Sequence, residues 1–279
     1  MIILDALEKA KRLHAQRSAD GRSSTGPSAP TRRRQLEVAS AAPIAQLKFP
    51  LVQADREVCE KSRVLISKQV GSSLIRAADC YRILRTRLRS HLDVDGVASV
   101  GVISAGPDEG KSLTAINLAL SFANEKRRNV FLIDLDLRNP SVCSYFGVVP
   151  TVELGNCLAK TARPEEAFFT VGVDNLVVAG GLSSYENSSE LLGGAGLNDL
   201  MEYIERADPN ALVLVDLPPL LQSADAMVVA PHLTTMLLVV GDGVTRREHL
   251  ARTGEMLHGM RVAGVVLNRS REAIESYYG

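Results

Sequence analysis

Four runs of almost unbroken apolar residues limit what this chain can become: Val130-Phe131-Leu132-Ile133, Leu212-Val213-Leu214-Val215, Met236-Leu237-Leu238-Val239-Val240 and Ala263-Gly264-Val265-Val266-Leu267. A strand with one wet face alternates apolar and polar residues, whereas a strand without alternation is covered on both faces, as in a parallel sheet. With two further runs at 98–104 and 175–179, the strand-like segments number six, the other four being bounded at 129–134, 211–216, 234–240 and 262–267. Stretches of helical spacing fall between them at 111–124, 188–204, 222–230 and 245–258, and a longer helix at 72–92 precedes the first strand. Alternating strand and helix predicts a three-layer α/β fold, a mainly parallel sheet with helices on both faces joined by right-handed crossovers. The sequence carries no internal repeat.

The 279 residues balance 32 Lys and Arg against 32 Asp and Glu, but not evenly along the chain. Residues 1–48 hold nine basic and four acidic side chains, a net of +5, which leaves −5 for 49–279. A basic arm therefore precedes a mildly acidic body, and binding of polyanions by the whole chain is excluded. Ile3, Ala6, Leu7, Ala10 and Leu13 give 1–17 the spacing of a short amphipathic helix, which could dock on a partner, lie on anionic lipid or simply fray. Residues 18–50, rich in Ser, Ala, Gly, Pro and Arg, bury too little to offset ordering entropy and read as a flexible linker. The expected division is an arm at 1–48 and one folded domain at 49–279.

Cys59, Cys80, Cys143 and Cys157 have neither CxxC nor zinc spacing, so they read as free thiols of a reducing compartment. No apolar run reaches the roughly 18–20 residues of a membrane-spanning helix, and the opening residues lack the pattern of a signal peptide. The expectation is a cytoplasmic protein that reaches the inner face of the membrane only through a partner. None of the five histidines pairs with another at ligand spacing, and no GxGxxG is present.

Chemistry concentrates where the first strand ends. Ala105-Gly106-Pro107-Asp108-Glu109-Gly110-Lys111-Ser112 fits [AG]-x4-G-K-[ST] between a predicted strand and a predicted helix. Such a loop aims successive backbone N–H groups and a helix N-terminus at phosphate oxygens. Lys111 would reach the β- and γ-phosphates, and the Ser112 hydroxyl would ligate Mg²⁺. Two more runs end in acids: Asp134-Leu135-Asp136-Leu137-Arg138 after one, Asp216-Leu217-Pro218-Pro219 after another. Carboxylates at the carboxyl ends of parallel strands face the crevice where α/β sheets bind ligands. Either Asp alone would read as readily as a helix cap; three beside a phosphate loop suit metal coordination and the orientation of a nucleophile.

With these three motifs in order, the chain resembles the MinD/ParA-type P-loop ATPases, and among them the bacterial tyrosine kinases of capsule and exopolysaccharide loci, whose second and third motifs read φφφDxDxR and φφφφDxPP. The opening helix and linker further resemble the kinases of exosortase-linked loci. The resemblance spans residues 72–268. It implies ATP and Mg²⁺ as cofactors, with Gly106, Pro107, Asp108, Glu109, Gly110, Lys111, Ser112 and Leu113 around the phosphates and Asn268 hydrogen-bonding the adenine. It implies Ser112, Asp134 and Asp216 about the metal, Asp136 or Asp134 as acceptor of the tyrosine proton, and Arg138 steadying the acidic pair. Tyr277 and Tyr278 would be phosphoacceptors on a neighbouring subunit. Asp79, Arg82 and Arg85 stand where those kinases carry E-x2-R-x2-R, a contact between subunits of a homo-oligomer; read without the resemblance they form a solvated charged face. The implied partner is a membrane-embedded polysaccharide co-polymerase that regulates chain length.

Three departures stand out. Asp108 replaces the usual Gly of the loop and sets a carboxylate near the phosphates, Asp79 replaces Glu, and the tail holds two tyrosines where the family has a longer cluster. Arg76, Arg82, Arg85, Arg87 and Arg89 lack the interleaved aromatics of a nucleic-acid surface, so nucleic acid is not expected as a partner. The function expected is an ATP-dependent tyrosine autokinase regulating exopolysaccharide or capsule synthesis and chain length. The alternatives are a MinD/ParA-like ATPase switch and a nucleotide-binding scaffold without tyrosine transfer.

Overall fold

A computed structural model of the chain describes residues 49–66, 72–92 and 96–270. The arm at 1–48 and the tyrosines Tyr277 and Tyr278 lie outside the described residues. Seven strands form one sheet: β1 (Ala98–Ser104), β2 (Val130–Asp134), β3 (Phe168–Thr170), β4 (Leu176–Ala179), β5 (Leu212–Asp216), β6 (Thr235–Gly241) and β7 (Val262–Asn268). Their spatial order is β3-β4-β2-β5-β1-β6-β7, with every pairing parallel except β3 to β4.

The strand period of two sorts each apolar run between two cores. Val100, Val102, Leu132, Leu212, Leu214, Leu237 and Val239 face one core, while Ile103, Phe131, Ile133, Val213, Val215, Met236 and Leu238 face the other. Both faces must therefore be covered, and helices cover both. On the first lie α1 (Arg56–Lys61), α2 (Ser72–Leu88), α3 (Lys111–Ala123) and α4 (Val142–Phe146). On the second lie α5 (Leu154–Leu158), α6 (Ser188–Gly193), α7 (Ala195–Ala207), α8 (Asp225–Val229) and α9 (Arg247–Met256). This is the expected α/β architecture, and all six expected strands are present within one residue of their bounds.

The differences have local causes. The helix expected over 188–204 is two helices, because Gly194 is extended (φ −83°, ψ 175°) and ends α6 while starting α7. A Cβ on Gly196 would lie 2.2 Å from the Leu158 carbonyl oxygen, so α7 crosses α5 too closely for any larger residue. The helix expected over 72–92 closes as a 3-10 turn at Arg89–His91. Strand β3 has no counterpart among the expected strands; Phe168 completes a ring cluster with Phe49, Phe131 and Tyr203 at centroid separations of 5.5–6.2 Å. Helix α1 starts on Asp55, whose carboxylate accepts from the Glu57 and Val58 amides, and its Cys59 is buried in the core. Among the described residues no helix is long and apolar enough to cross a membrane.

A candidate phosphate-binding active site

In the register of the sheet Asp134 of β2 lies beside Asp216 of β5, and Asp216 beside Val102 of β1. The two acids thus end adjacent central strands, next to the loop that leaves β1. That loop turns through two left-handed residues, Asp108 (φ 57°) and Gly110 (φ 90°). Asp adopts this region more readily than most residues, which explains how it replaces Gly at 108, and its side chain is exposed at the loop tip with Pro107. A side chain at Gly110 is disfavoured twice, by the left-handed backbone and by Asn268 Nδ2, which a Cβ there would meet at 2.1 Å.

Two side chains brace the loop. The buried Glu109 carboxylate accepts from the Ala105 amide at 3.0 Å and the Gly106 amide at 3.2 Å. From the end of β7, Asn268 Nδ2 donates to the Glu109 carbonyl at 2.9 Å. Asn268 therefore sits against the loop, with its amide nitrogen engaged by main chain. Leu113, one residue past Ser112, packs into the core beneath α3. The bracing role of Glu109 has no signature in the sequence, where the residue reads only as a loop position.

Lys111 and Ser112 begin α3, and both are buried. Lys111 Nζ donates to Asp136 Oδ2 at 2.7 Å, lies 3.2 Å from Ser112 Oγ and 3.5 Å from Asp216 Oδ1. The three charged side chains are 11%, 3% and 0% exposed. Burial alone would lower the lysine, but Asp216 and Asp136 more than reverse it and hold the ammonium above its usual value. Burial pushes the Asp134 carboxyl up to about 7, with the charge on Asp216 adding to it. Asp216 is likewise raised by burial, against the pull of Lys111 and the Ser112 hydroxyl.

The donor set fits a hard cation, which takes oxygen ligands. Asp136 Oδ1 and Asp216 Oδ2 are buried with no hydrogen-bond partner among the described residues, and such orphaned acceptors are costly unless something binds them. No preformed group of three metal-ligating His, Cys, Asp or Glu side chains occurs among the described residues, so a cation here would share its shell with phosphate oxygens and water. Asp134 differs from its expected place about the metal. Its Oδ1 accepts from the Asp136 amide at 3.1 Å and its Oδ2 from the Ser141 and Val142 amides at 2.8 and 2.9 Å. Asp134 spends both oxygens shaping the loop that carries Asp136, and the free oxygens belong to Asp136 and Asp216.

Two further expectations are corrected. Arg138 does not steady Asp134 and Asp136: its Nε donates to Ser188 Oγ at 2.9 Å and lies 3.7 Å from Asp225 Oδ2. Arg85 does not share an open face with Asp79 and Arg82. It folds against α3, donating to the Ser121 carbonyl at 2.5 Å with Glu125 nearby, and is 17% exposed. Asp79 and Arg82 pair with each other on the exposed face of α2.

No family model matches the chain. It is 33% identical over 201 residues to the tyrosine-protein kinase YwqD of Bacillus subtilis, covering 71% of this chain and 84% of that protein. Its fold superposes on the kinase domain of the Escherichia coli tyrosine kinase ETK with a TM-score of 0.67 at 23% identity, covering 86% and 98% of the two chains. The septum site-determining protein MinD of Pyrococcus horikoshii, solved with Mg-ADP, matches more loosely, with a TM-score of 0.53, 20% identity and coverage of 63% and 72%.

Proposed function

Because the chain belongs to the bacterial tyrosine-protein kinases, we propose that it transfers the γ-phosphoryl group of ATP to tyrosines of its own kind, and that it does so in the synthesis of capsule or exopolysaccharide. The observation that carries the site assignment is the buried contact of Lys111 with Asp136 and Asp216, beside Ser112 and two unpartnered carboxylate oxygens.

The amides of 108–112 and the N-terminus of α3 would cradle the phosphates. Ser112 and Asp216 would hold Mg²⁺, which when bound neutralises charge on the β- and γ-phosphates. Lys111 leaves Asp136 for the phosphate oxygens, and Asp136 is then free to accept a proton. The tyrosine oxygen forms its bond to the γ-phosphorus as the bond to the bridging oxygen breaks, ADP leaves with that electron pair, and the phenolic proton passes to Asp136 Oδ1. Asp134 holds Asp136 in place through the loop amides it binds. Positioning and charge neutralisation supply most of the rate in such transfers.

Tyr277 and Tyr278 would be the acceptors on a neighbouring copy. The implied partner is a membrane-embedded regulator of polysaccharide chain length, which would bring the kinase to the inner face of the membrane; exosortase-linked loci are the setting that the opening residues suggest. Phosphotyrosine blotting after incubation with Mg-ATP tests the proposal. Wild type should label, and Lys111→Met and the double variant Tyr277→Phe/Tyr278→Phe should not. Phosphate release without phosphotyrosine would favour a MinD-like switch, and nucleotide binding without either would favour a scaffold.

A further inference from the structure

The loop after β2 carries a cation that the nucleotide site does not use. Arg138 is tethered at Nε by Ser188 Oγ and by Asp225. Asp225 is fully buried at the start of α8; it accepts from Ser188 Oγ at 2.7 Å and from Ser189 Oγ, and its amide donates to Ser223 Oγ at 3.1 Å. Burial alone would raise this carboxyl, but the Ser189, Ser188 and Ser223 hydroxyls and the Arg138 charge outweigh it and hold it below the usual carboxylate range. The main chain around Arg138 is fixed too: Ser184 Oγ donates to the Arg138 carbonyl at 2.6 Å, and the Tyr185 amide to the Leu137 carbonyl at 2.8 Å. The segments following β2, β4 and β5 thus converge on one carboxylate and one guanidinium.

That anchorage uses only the Nε edge. Among the described residues neither Nη nitrogen of Arg138 has a hydrogen-bond partner, and the side chain is 50% exposed although its anchor is 0% exposed. A guanidinium held by one edge presents the other as a flat fork matched to a carboxylate, with little rotamer freedom left to lose on binding. Arg138 follows Asp136 by two residues, so the fork stands close in the chain to the proposed proton acceptor.

We propose that Arg138, positioned by Asp225, selects the acceptor by binding an acidic side chain two residues before the tyrosine. The inference rests on the tyrosine-kinase reading above. Its substrate class is an extended, acidic tyrosine segment, and in this sequence the match is Glu275 of a second copy, in Glu275-Ser276-Tyr277-Tyr278. In an extended chain residues two apart lie on the same face, roughly 7 Å from each other. Glu275 and Tyr277 can then face Arg138 and Asp136 together, while Tyr278 points the other way. Tyr277 is the preferred acceptor.

The test uses the full chain carrying Tyr277→Phe/Tyr278→Phe as the enzyme and synthetic peptides of residues 268–279 as substrates, with Mg-ATP. Glu275→Gln in the peptide raises KM about tenfold, as expected for loss of a charge-assisted bidentate pair, and leaves kcat nearly unchanged. Arg138→Gln in the enzyme raises KM for the natural peptide by a similar factor and removes the discrimination between the two peptides. Asp225→Asn moves KM in the same direction, and Arg138→Glu prefers a Glu275→Arg peptide. Equal KM for the natural and the Glu275→Gln peptides with unaltered Arg138 overturns the proposal and leaves the kinase reading standing. That comparison needs no substitution in the hub, so it decides the matter even if Asp225→Asn fails to fold. ATP binding with no phosphotyrosine on any peptide overturns the kinase reading and the proposal together.

Discussion

Lys111 Nζ and Asp136 Oδ2 meet at 2.7 Å in a site where neither side chain is more than 11% exposed. The cation proposed to grip phosphate and the carboxylate proposed to take the proton are therefore each other's counterion, and Asp216 at 3.5 Å completes the cluster. On the proposed mechanism, the same pairing would keep Asp136 occupied until phosphate draws the lysine away.

Lys111→Met should destabilise the protein as well as inactivate it. Removing one partner of a buried ion pair strands the other, at about 3–5 kcal/mol, and here two carboxylates are stranded. Urea unfolding should show a lower midpoint for the variant, and millimolar Mg²⁺ should restore more stability to it than to wild type. An unchanged midpoint would contradict the buried pairing.

Gly110→Ala should weaken ATP binding at least tenfold by calorimetry. The left-handed backbone at φ 90° disfavours any Cβ by roughly 1–2 kcal/mol, and this Cβ also collides with Asn268. Adding Asn268→Ala removes the collision but not the backbone strain, so the double variant should recover affinity only in part.

Asp225 sets an acid limit on stability. Its folded-state carboxyl is depressed, so the unfolded chain binds the proton more tightly and the contribution is present above the ordinary carboxylate range, then lost as pH falls through the depressed value. Asp225→Asn should cost most near pH 7 and progressively less toward pH 3 in urea titrations. A cost independent of pH would show that the charge is not what the hydroxyls stabilise.

Thiol labelling should count one fast cysteine. Cys80 is exposed on α2, whereas burial raises Cys59 and Cys157 to about 11 and Cys143 to about 12. The thiolate is the reactive form, so a disulfide-exchange reagent at pH 8 should modify one equivalent quickly and three more only on unfolding. Cys80→Ser should abolish the fast phase.

How much of this is readable in the sequence depends on the range of the interaction. The apolar runs announce their strands because burial on both faces leaves no polar position to blur them, and the phosphate loop announces itself because its backbone needs particular residues at particular spacings. Asp134 is legible as an acid at a strand end but not as the acceptor of three amides, since those amides lie up to eight residues on, in a loop whose path no local pattern dictates. Arg138 and Asp225 are 87 residues apart, and Arg85 reaches across 36 to Ser121. Such pairs are products of tertiary packing, and no periodicity encodes them. The split at Gly194 is in plain view as Gly193-Gly194, but the apolar spacing on either side runs through it.

Asn268 is the last residue of the strand at the sheet's rim, and its amide is fastened to the bend that would grip the triphosphate. The stretch bearing Tyr277 and Tyr278 starts immediately beyond it. Any displacement of the end of β7 therefore reaches that bend through the Asn268 side chain.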